Sequence, residues 1–268
     1  MTTRRGFLSI CAACPLLAQD VLTSVPPKAN VRLSYGKAPQ QFGHLFLPKG
    51  PEPHPVVIFI HGGFWRNSYS LDHAGFLCAA LARAGAAVWN LEYRRLGDPG
   101  GDWRGMADDI VRGAEHVVSI AGAYNLDLRR TVAAGHSAGG HLALWLAAQQ
   151  AVDLRGVVGL AAISDLRRAY ALQLGGGVVR QLMGGSPDQV PQRYAAASPI
   201  ELLPIPVSQR MLHGTADTIV PFDMSQRFAK ASRNAKLAPL PAAGHFDLID
   251  PRFKGWPIIQ RNILDWQF

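Results

Sequence analysis

The chain has 268 residues, of which 48% are hydrophobic and 17% are charged, a composition that supports a large buried core and argues against intrinsic disorder. Its net charge of +8 comes from arginines scattered along the chain, without a basic stripe, zinc-finger spacing or an RNA-binding aromatic motif. We therefore expect no nucleic-acid partner.

Residues 1–24 differ in character from the rest of the chain. The pair Arg4-Arg5 precedes a short apolar run that is typical of a twin-arginine export signal, and that run is too short for a stable membrane span. Two of the three cysteines lie in this segment, so its removal would leave Cys78 without an intramolecular disulfide partner. The segment predicts an exported protein, periplasmic or secreted, with a cytoplasmic protein as the alternative.

Apolar runs and helical periodicity alternate along residues 25–268. The runs 55–60 and 86–91 are continuously apolar, as in strands that are buried on both faces of a parallel sheet. Further strands are predicted at 31–35, 42–46, 131–134, 156–163, 207–212 and 236–240, and helices at 71–84, 103–120, 137–150, 222–233 and 257–268. This order predicts one α/β domain with a mostly parallel central sheet and helices on both faces. The Gly- and Pro-rich segment 165–204 interrupts the alternation and is interpreted as a small cap insertion.

The segment Gly135-His136-Ser137-Ala138-Gly139 has the G-x-S-x-G pattern and lies between a predicted strand and a predicted helix. In that context the small neighbours permit a tight turn that exposes the serine hydroxyl above the sheet. The helix that follows adds partial positive charge at its start. We therefore predict that Ser137 is a nucleophile, the alternative being an ordinary helix cap.

A serine hydroxyl needs a base, and the expected chain order is serine, acid, histidine. His245 lies in a small-residue loop after the last predicted strand, where it could reach Ser137, and is the predicted base. Asp217, in the turn after another strand, is the predicted acid that orients His245. The alternative bases are His141 and His213, and the alternative acids are Asp223 and Asp247.

Two glycines follow the buried run 55–60, in the segment His61-Gly62-Gly63-Phe64-Trp65. Backbone N–H groups can approach a developing oxyanion closely there, and each such donor contributes about 3–4 kcal/mol. We predict that Gly62 or Gly63 donates together with Ala138, and that His61 braces the loop. Phe64 and Trp65 are candidate substrate-binding residues, with plain packing as the alternative.

The segments 61–65 and 135–143 together resemble the kynurenine formamidase and carboxylesterase branch of the α/β-hydrolase superfamily. Glu92-Tyr93-Arg94, Asp217 and His245 fit the same layout. The resemblance extends over residues 31–268 and implies an α/β-hydrolase fold. Feruloyl and acetyl-xylan esterases and prolyl-oligopeptidase-type peptidases also carry His-Gly-Gly loops. The Gly-Gly-Phe-Trp order favours the formamidase branch. The export signal argues against that branch, because kynurenine breakdown is usually intracellular.

These observations predict a serine hydrolase that cleaves a small carboxylic ester, or an N-formyl aryl amide, through an acyl-enzyme. The reaction requires a small-molecule substrate and neither a metal nor an organic cofactor. An acetyl-xylan or feruloyl-type esterase and a prolyl-oligopeptidase-like peptidase are the alternative enzymes. A non-catalytic ligand-binding protein with the same fold is the alternative outside enzymes, and His245 argues against it.

Overall fold

The computed structural model describes residues 21–266. The predicted export signal lies outside the described residues except for its last four positions. Of those four, Val21 is buried in the core, and residues 21–23 are helical.

Eight strands form one sheet in the order β1-β2-β4-β3-β5-β6-β7-β8. Neighbouring strands from β3 to β8 are parallel, and β2 runs antiparallel to both of its neighbours. The strands are β1 (Val31–Ser34), β2 (Phe42–Phe46), β3 (His54–Ile60), β4 (Ala87–Leu91), β5 (Leu126–His136), β6 (Gly156–Leu160), β7 (Ser208–Gly214) and β8 (Ala235–Leu240). The predicted α/β-hydrolase architecture, with a mostly parallel sheet, is confirmed.

Helices cover both faces of this sheet. The α-helices are α1 (Gly75–Arg83), α2 (Trp103–Ile120), α3 (Ala138–Gln149), α4 (Leu166–Ala171), α5 (Leu174–Met183), α6 (Pro191–Ala197), α7 (Asp223–Ala231) and α8 (Trp256–Leu264). Short 3-10 helices span Leu71–Ala74, Pro199–Leu202 and Phe246–Ile249.

The two faces of the sheet have separate apolar cores. In β3, Val56 and Ile58 pack with α2 and α3 on one face, whereas Val57 and Phe59 pack with α1 and α8 on the other. Successive side chains of a strand point to opposite faces, so a strand covered on both sides is apolar at every position. This explains why the strand signal in the sequence is a continuous run.

The segment 165–204, predicted as a cap insertion, contains α4, α5, α6 and a 3-10 helix between β6 and β7. Its Asp165 side chain caps α4 by accepting from the N–H of Arg168. Gly175, Gly176 and Gly177 all have positive φ, which glycine adopts without a steric penalty, and they turn the chain at the start of α5.

Several predicted boundaries differ from the structure. β5 begins at Leu126 rather than residue 131, because Leu126 and Asp127 pair with the start of β3 across an irregularity in the ladder. β6 ends at Leu160 rather than residue 163, because Ala161 has a φ of 47° and leaves the extended conformation. The helix predicted at 71–84 is a 3-10 turn followed by α1.

Within residues 21–266, none of the helices has both the length and the apolar character needed to cross a lipid bilayer. The same residues contain no group of three or more His, Cys, Asp or Glu side chains arranged to hold a metal ion.

Candidate active site

Ser137 lies in the predicted tight turn, between the last residue of β5 and the first residue of α3. Its φ is 57° and its ψ is −119°, and its N–H donates to the carbonyl of Leu160 at 2.8 Å. A Cβ at Gly135 would lie 2.2 Å from the Gly139 oxygen, and one at Gly139 would lie 2.1 Å from the Ile60 oxygen. Both glycines are therefore required by close backbone contacts, which explains the spacing of the motif.

His245 and Asp217 lie in the loops that follow β8 and β7, and the structure brings them together. Asp217 Oδ2 is 2.7 Å from His245 Nδ1, and the carboxylate is fully buried. Its other oxygen accepts from the backbone N–H groups of Ile219 and Val220 at 2.8 and 2.9 Å. These contacts fix the carboxylate and hold the His245 ring through Nδ1, leaving Nε2 for another partner.

His213 is a second imidazole on the same carboxylate. Its Nε2 is 3.3 Å from Asp217 Oδ2 and 2.9 Å from the carbonyl oxygen of Val220, while its Nδ1 is 2.7 Å from Ser225 Oγ. Burial by itself raises the pKa of the Asp217 carboxyl, but the hydrogen bonds from His213 and His245 outweigh it and hold that pKa below its usual range. Asp217 is therefore an anion beside His245 at neutral pH.

The other candidate acids and bases have different partners. Asp223 pairs with Arg168 at 3.0 Å, and Asp247 accepts from the N–H of Gly244 at 2.7 Å. His141 accepts from the indole N–H of Trp65 and lies 2.9 Å from the carbonyl oxygen of Ala197. Among residues 21–266, none of these three contacts the His245 ring through a hydrogen bond.

The His245 ring lies beside the serine turn. Its centroid is 4.5 Å from that of His136, the residue immediately before Ser137. In the described part of the chain, no hydrogen bond joins the Ser137 hydroxyl to His245. Such contacts are often long in substrate-free enzymes and shorten when substrate binds.

The loop after β3 packs directly against the serine turn. A Cβ on Gly62 would lie 3.2 Å from Ser137 Cβ and 2.8 Å from the His136 carbonyl oxygen. The N–H groups of Gly62, Gly63 and Ala138 donate to no other group between residues 21 and 266. Unpaired donors beside a serine hydroxyl are suited to bind an oxyanion.

Buried polar contacts fix this loop from below. His61 Nε2 is 2.9 Å from Glu92 Oε1, and the Tyr93 hydroxyl donates to the His61 carbonyl at 2.9 Å. Glu92 also accepts from Arg95 at 3.1 Å. His61 therefore occupies the bracing position expected of it, and Glu92, Tyr93 and Arg95 supply the contacts, whereas Arg94 pairs with Asp109.

Phe64 and Trp65 have different environments although both have positive φ, at 52° and 57°. Trp65 is 0% exposed and belongs to the core, so its environment matches the packing alternative. Phe64 is partly exposed, and its ring lies against Gly175 of the segment 165–204. The Arg66 guanidinium donates to the Gly175 carbonyl at 2.7 Å, which ties that segment to the loop.

Several residues that contact His245 or the loop after β3 were not predicted from the sequence. His73 and His136 form a buried pair next to His245, and Tyr69, which is 38% exposed, lies against Gly63. Phe246 packs edge-on against the His245 ring at 5.2 Å. His136 could have been singled out as the variable position of the serine motif, whereas His73 and Tyr69 lie in segments without any motif.

The sheet order, the helices on both faces and the serine at a strand-to-helix turn define an α/β-hydrolase. Residues 44–231 match the model of the BD-FAE family, and the chain belongs to that family.

Curated relatives include a rice protein (Oryza sativa subsp. japonica) described as a probable isoprenylcysteine alpha-carbonyl methylesterase. It is 30% identical over 243 residues, which cover 80% of this chain and 57% of that protein. Esterase LipC of Mycobacterium tuberculosis is 24% identical over 245 residues, covering 82% of this chain and 60% of that protein. The chain thus spans little more than half the length of these relatives.

Solved structures of esterases share the fold. Esterase B from Lactobacillus rhamnosis HN001 has a TM-score of 0.75 at 19% identity, covering 92% of this chain and 88% of that chain. The esterase Est2 of Thermogutta terrifontis has a TM-score of 0.70 at 21% identity, covering 88% and 92%.

Proposed function

We propose that this protein hydrolyses small carboxylic esters through an acyl-enzyme on Ser137. The observation that carries the proposal is the buried Asp217–His245 pair, held beside a serine whose backbone turns sharply between β5 and α3. The similar proteins described as esterases support the ester as the bond that is cleaved.

The proposed reaction begins when His245 Nε2 takes the Ser137 proton and Ser137 Oγ attacks the ester carbonyl carbon. The carbonyl oxygen becomes an anion and accepts from the N–H groups of Gly62, Gly63 and Ala138. Asp217 stabilises the imidazolium that forms. His245 then protonates the leaving alcohol as the C–O bond breaks. Water next attacks the acyl-enzyme with His245 as base, and His245 returns the proton to Ser137 Oγ as the acid is released.

The finer choice of substrate lies with the groups around the serine. Phe64 is the proposed contact for the substrate on the oxyanion side, because its ring is partly exposed and supported by Gly175. An N-formyl aryl amide would use the same attack and the same donors, so only a comparison of substrates separates it from an ester. A panel of short-chain acyl esters, acetylated xylan, feruloyl esters and N-formylkynurenine makes that comparison.

Ser137→Ala tests the proposal directly. We expect it to abolish turnover of p-nitrophenyl acetate and labelling by a fluorophosphonate probe, because the attacking oxygen is removed. Ser232→Ala is a matched control, since it also removes a buried hydroxyl, at the far end of α7. Undiminished turnover in a folded Ser137→Ala protein would refute the assignment.

A further inference from the structure

Two buried histidines, His73 and His136, lie between His245 and the loop 61–65, which is called the oxyanion loop below. Neither has a part in the proposed chemistry. His136 Nε2 is 3.0 Å from the backbone carbonyl oxygen of His245. Its Nδ1 is 3.2 Å from Nε2 of His73, which lies in the 3-10 helix before α1. His73 Nδ1 is buried without a hydrogen-bond partner among the described residues.

The partners determine where the protons are. A carbonyl oxygen only accepts, so His136 must carry its proton on Nε2 and donate to His245. A neutral His136 then has a lone pair on Nδ1, and His73 must donate to it from its own Nε2. The remaining nitrogen, His73 Nδ1, is left with a lone pair, which agrees with its lack of an acceptor.

Both rings are neutral in the folded protein. Burial lowers the pKa of His73 to about 3, with the neighbouring His61 and His245 adding to the effect. Burial also lowers the pKa of His136 well below its usual value, and His245 and His73 lower it further. A charged His136 would place an N–H against the N–H of His73 and a cation 4.5 Å from the His245 ring.

The pair joins three segments of the site. His73 follows the oxyanion loop, His136 precedes the nucleophile, and the His245 carbonyl belongs to the loop that carries the base. Gly62 leaves room for this arrangement, since a Cβ there would lie 3.2 Å from His136 Nδ1. A displacement of the His136 ring would therefore reach both the base and the oxyanion donors.

We propose that His136 is a positioning residue that sets the place of the base by donating to the His245 backbone carbonyl, and that His73 fixes His136 in the tautomer that can donate. This inference rests on the proposed function, because it assigns a role relative to His245 as base. A misplacement of about 1 Å at such a site can cost about 100-fold in rate.

Paired amide variants test the donor. The glutamine amide nitrogen can occupy the position of imidazole Nε2, whereas that of asparagine reaches only the Nδ1 position. We expect His136→Asn to lower kcat by about 10- to 100-fold with KM unchanged, and His136→Gln to remain within about threefold of the unaltered protein. The kcat of His73→Gln should likewise exceed that of His73→Asn, with a smaller difference between the two variants. His54→Asn, at the amino-terminal start of the central strand β3 and away from the serine turn, controls for loss of a buried imidazole.

Equal kcat values for folded Asn and Gln variants at position 136 would overturn the proposal. The tautomers can also be read without any substitution, from long-range ¹H–¹⁵N correlations of protein labelled with ¹⁵N-histidine. We expect His73 and His136 to carry their protons on Nε2 between pH 5 and 8. A proton on His136 Nδ1 in that range would overturn the proposal. Failure of the proposed function has a separate readout, which is undiminished hydrolysis by the Ser137→Ala variant.

Discussion

At the scale of the residue, Ser137 holds a conformation that costs stability. A side chain at a φ of 57° and a ψ of −119° is strained, and residues in such sparsely populated regions cost about 1–3 kcal/mol each. The neighbouring glycines cannot relieve the strain, because the backbone on either side is already in contact. The serine is retained there although glycine would fit more easily.

Ser137→Gly should therefore be more stable than Ser137→Ala while both are inactive. We expect a difference of about 1 kcal/mol, after allowing for the greater freedom of glycine in the unfolded chain, which corresponds to a Tm higher by about 2–4 °C. Thermal unfolding of both variants followed by circular dichroism measures it. Equal Tm values, or a lower Tm for the glycine variant, would contradict the view that this turn is strained.

The sequence predicts best the positions of residues that belong to a local motif after a strand. Ser137, Gly62 and Asp217 lie within three residues of the carboxyl end of a strand, so their position at that end of the sheet can be inferred from strand order alone. The contact of His213 with Asp217 depends on side-chain geometry within a loop. No spacing rule describes that geometry.

At the scale of the element, the loop after β3 and the serine turn form one packed unit. Gly62 lies between them, and a side chain at this position would point at the His136 carbonyl and the Ser137 side chain. The carbonyl is part of the backbone, so an added methyl group cannot be accommodated by rotating a side chain. The loop would have to move away from the turn.

We expect Gly62→Ala to lower kcat for p-nitrophenyl acetate by about 100-fold, because the loop carries the proposed oxyanion donors. Gly122→Ala is the matched control, since a Cβ at Gly122 meets nothing within 4 Å. Initial rates at saturating substrate measure the effect. A Gly62→Ala protein with normal kcat would show that these donors tolerate displacement or have no part in the reaction.

Element boundaries were less predictable than element types. The sequence signal for β5 starts at Thr131 because the preceding arginines are polar, yet Leu126 and Asp127 already pair with β3. Asp127 accepts from the side chains of Arg129 and Arg130, which allows these charged residues to remain in the strand. Such compensation is a tertiary effect and is invisible to periodicity.

At the scale of the whole molecule, buried neutral histidines govern the response to acid. Burial lowers the pKa of His73 to about 3 and that of His141 to about 4, and it holds the pKa of His136 well below its ordinary value. In the unfolded chain each histidine has a pKa of about 6.5. Below that pH the unfolded state binds more protons than the folded state, so stability is lost as pH falls.

Each of these three histidines removes up to about 1.4 kcal/mol per pH unit below about pH 6.5. The Asp217 carboxyl, whose pKa is lowered on folding, adds its own loss only below about pH 4. We expect Tm to be constant above pH 7 and to fall steeply from pH 6.5 to 4.5, with a shallower fall in His73→Gln. A Tm that is flat between pH 7 and 5 would contradict this prediction.

The conformation of the loop at Phe64 and Trp65 has a consequence for the redesign of specificity. Both residues hold positive φ, and buried contacts of Trp65 with His141 and Leu96 keep the chain there. A library that varies position 65 would release the strained loop and slow every substrate alike. Phe64 is only half-buried and is the proposed substrate contact, so under the proposed function position 64 is where we expect variation to change substrate preference.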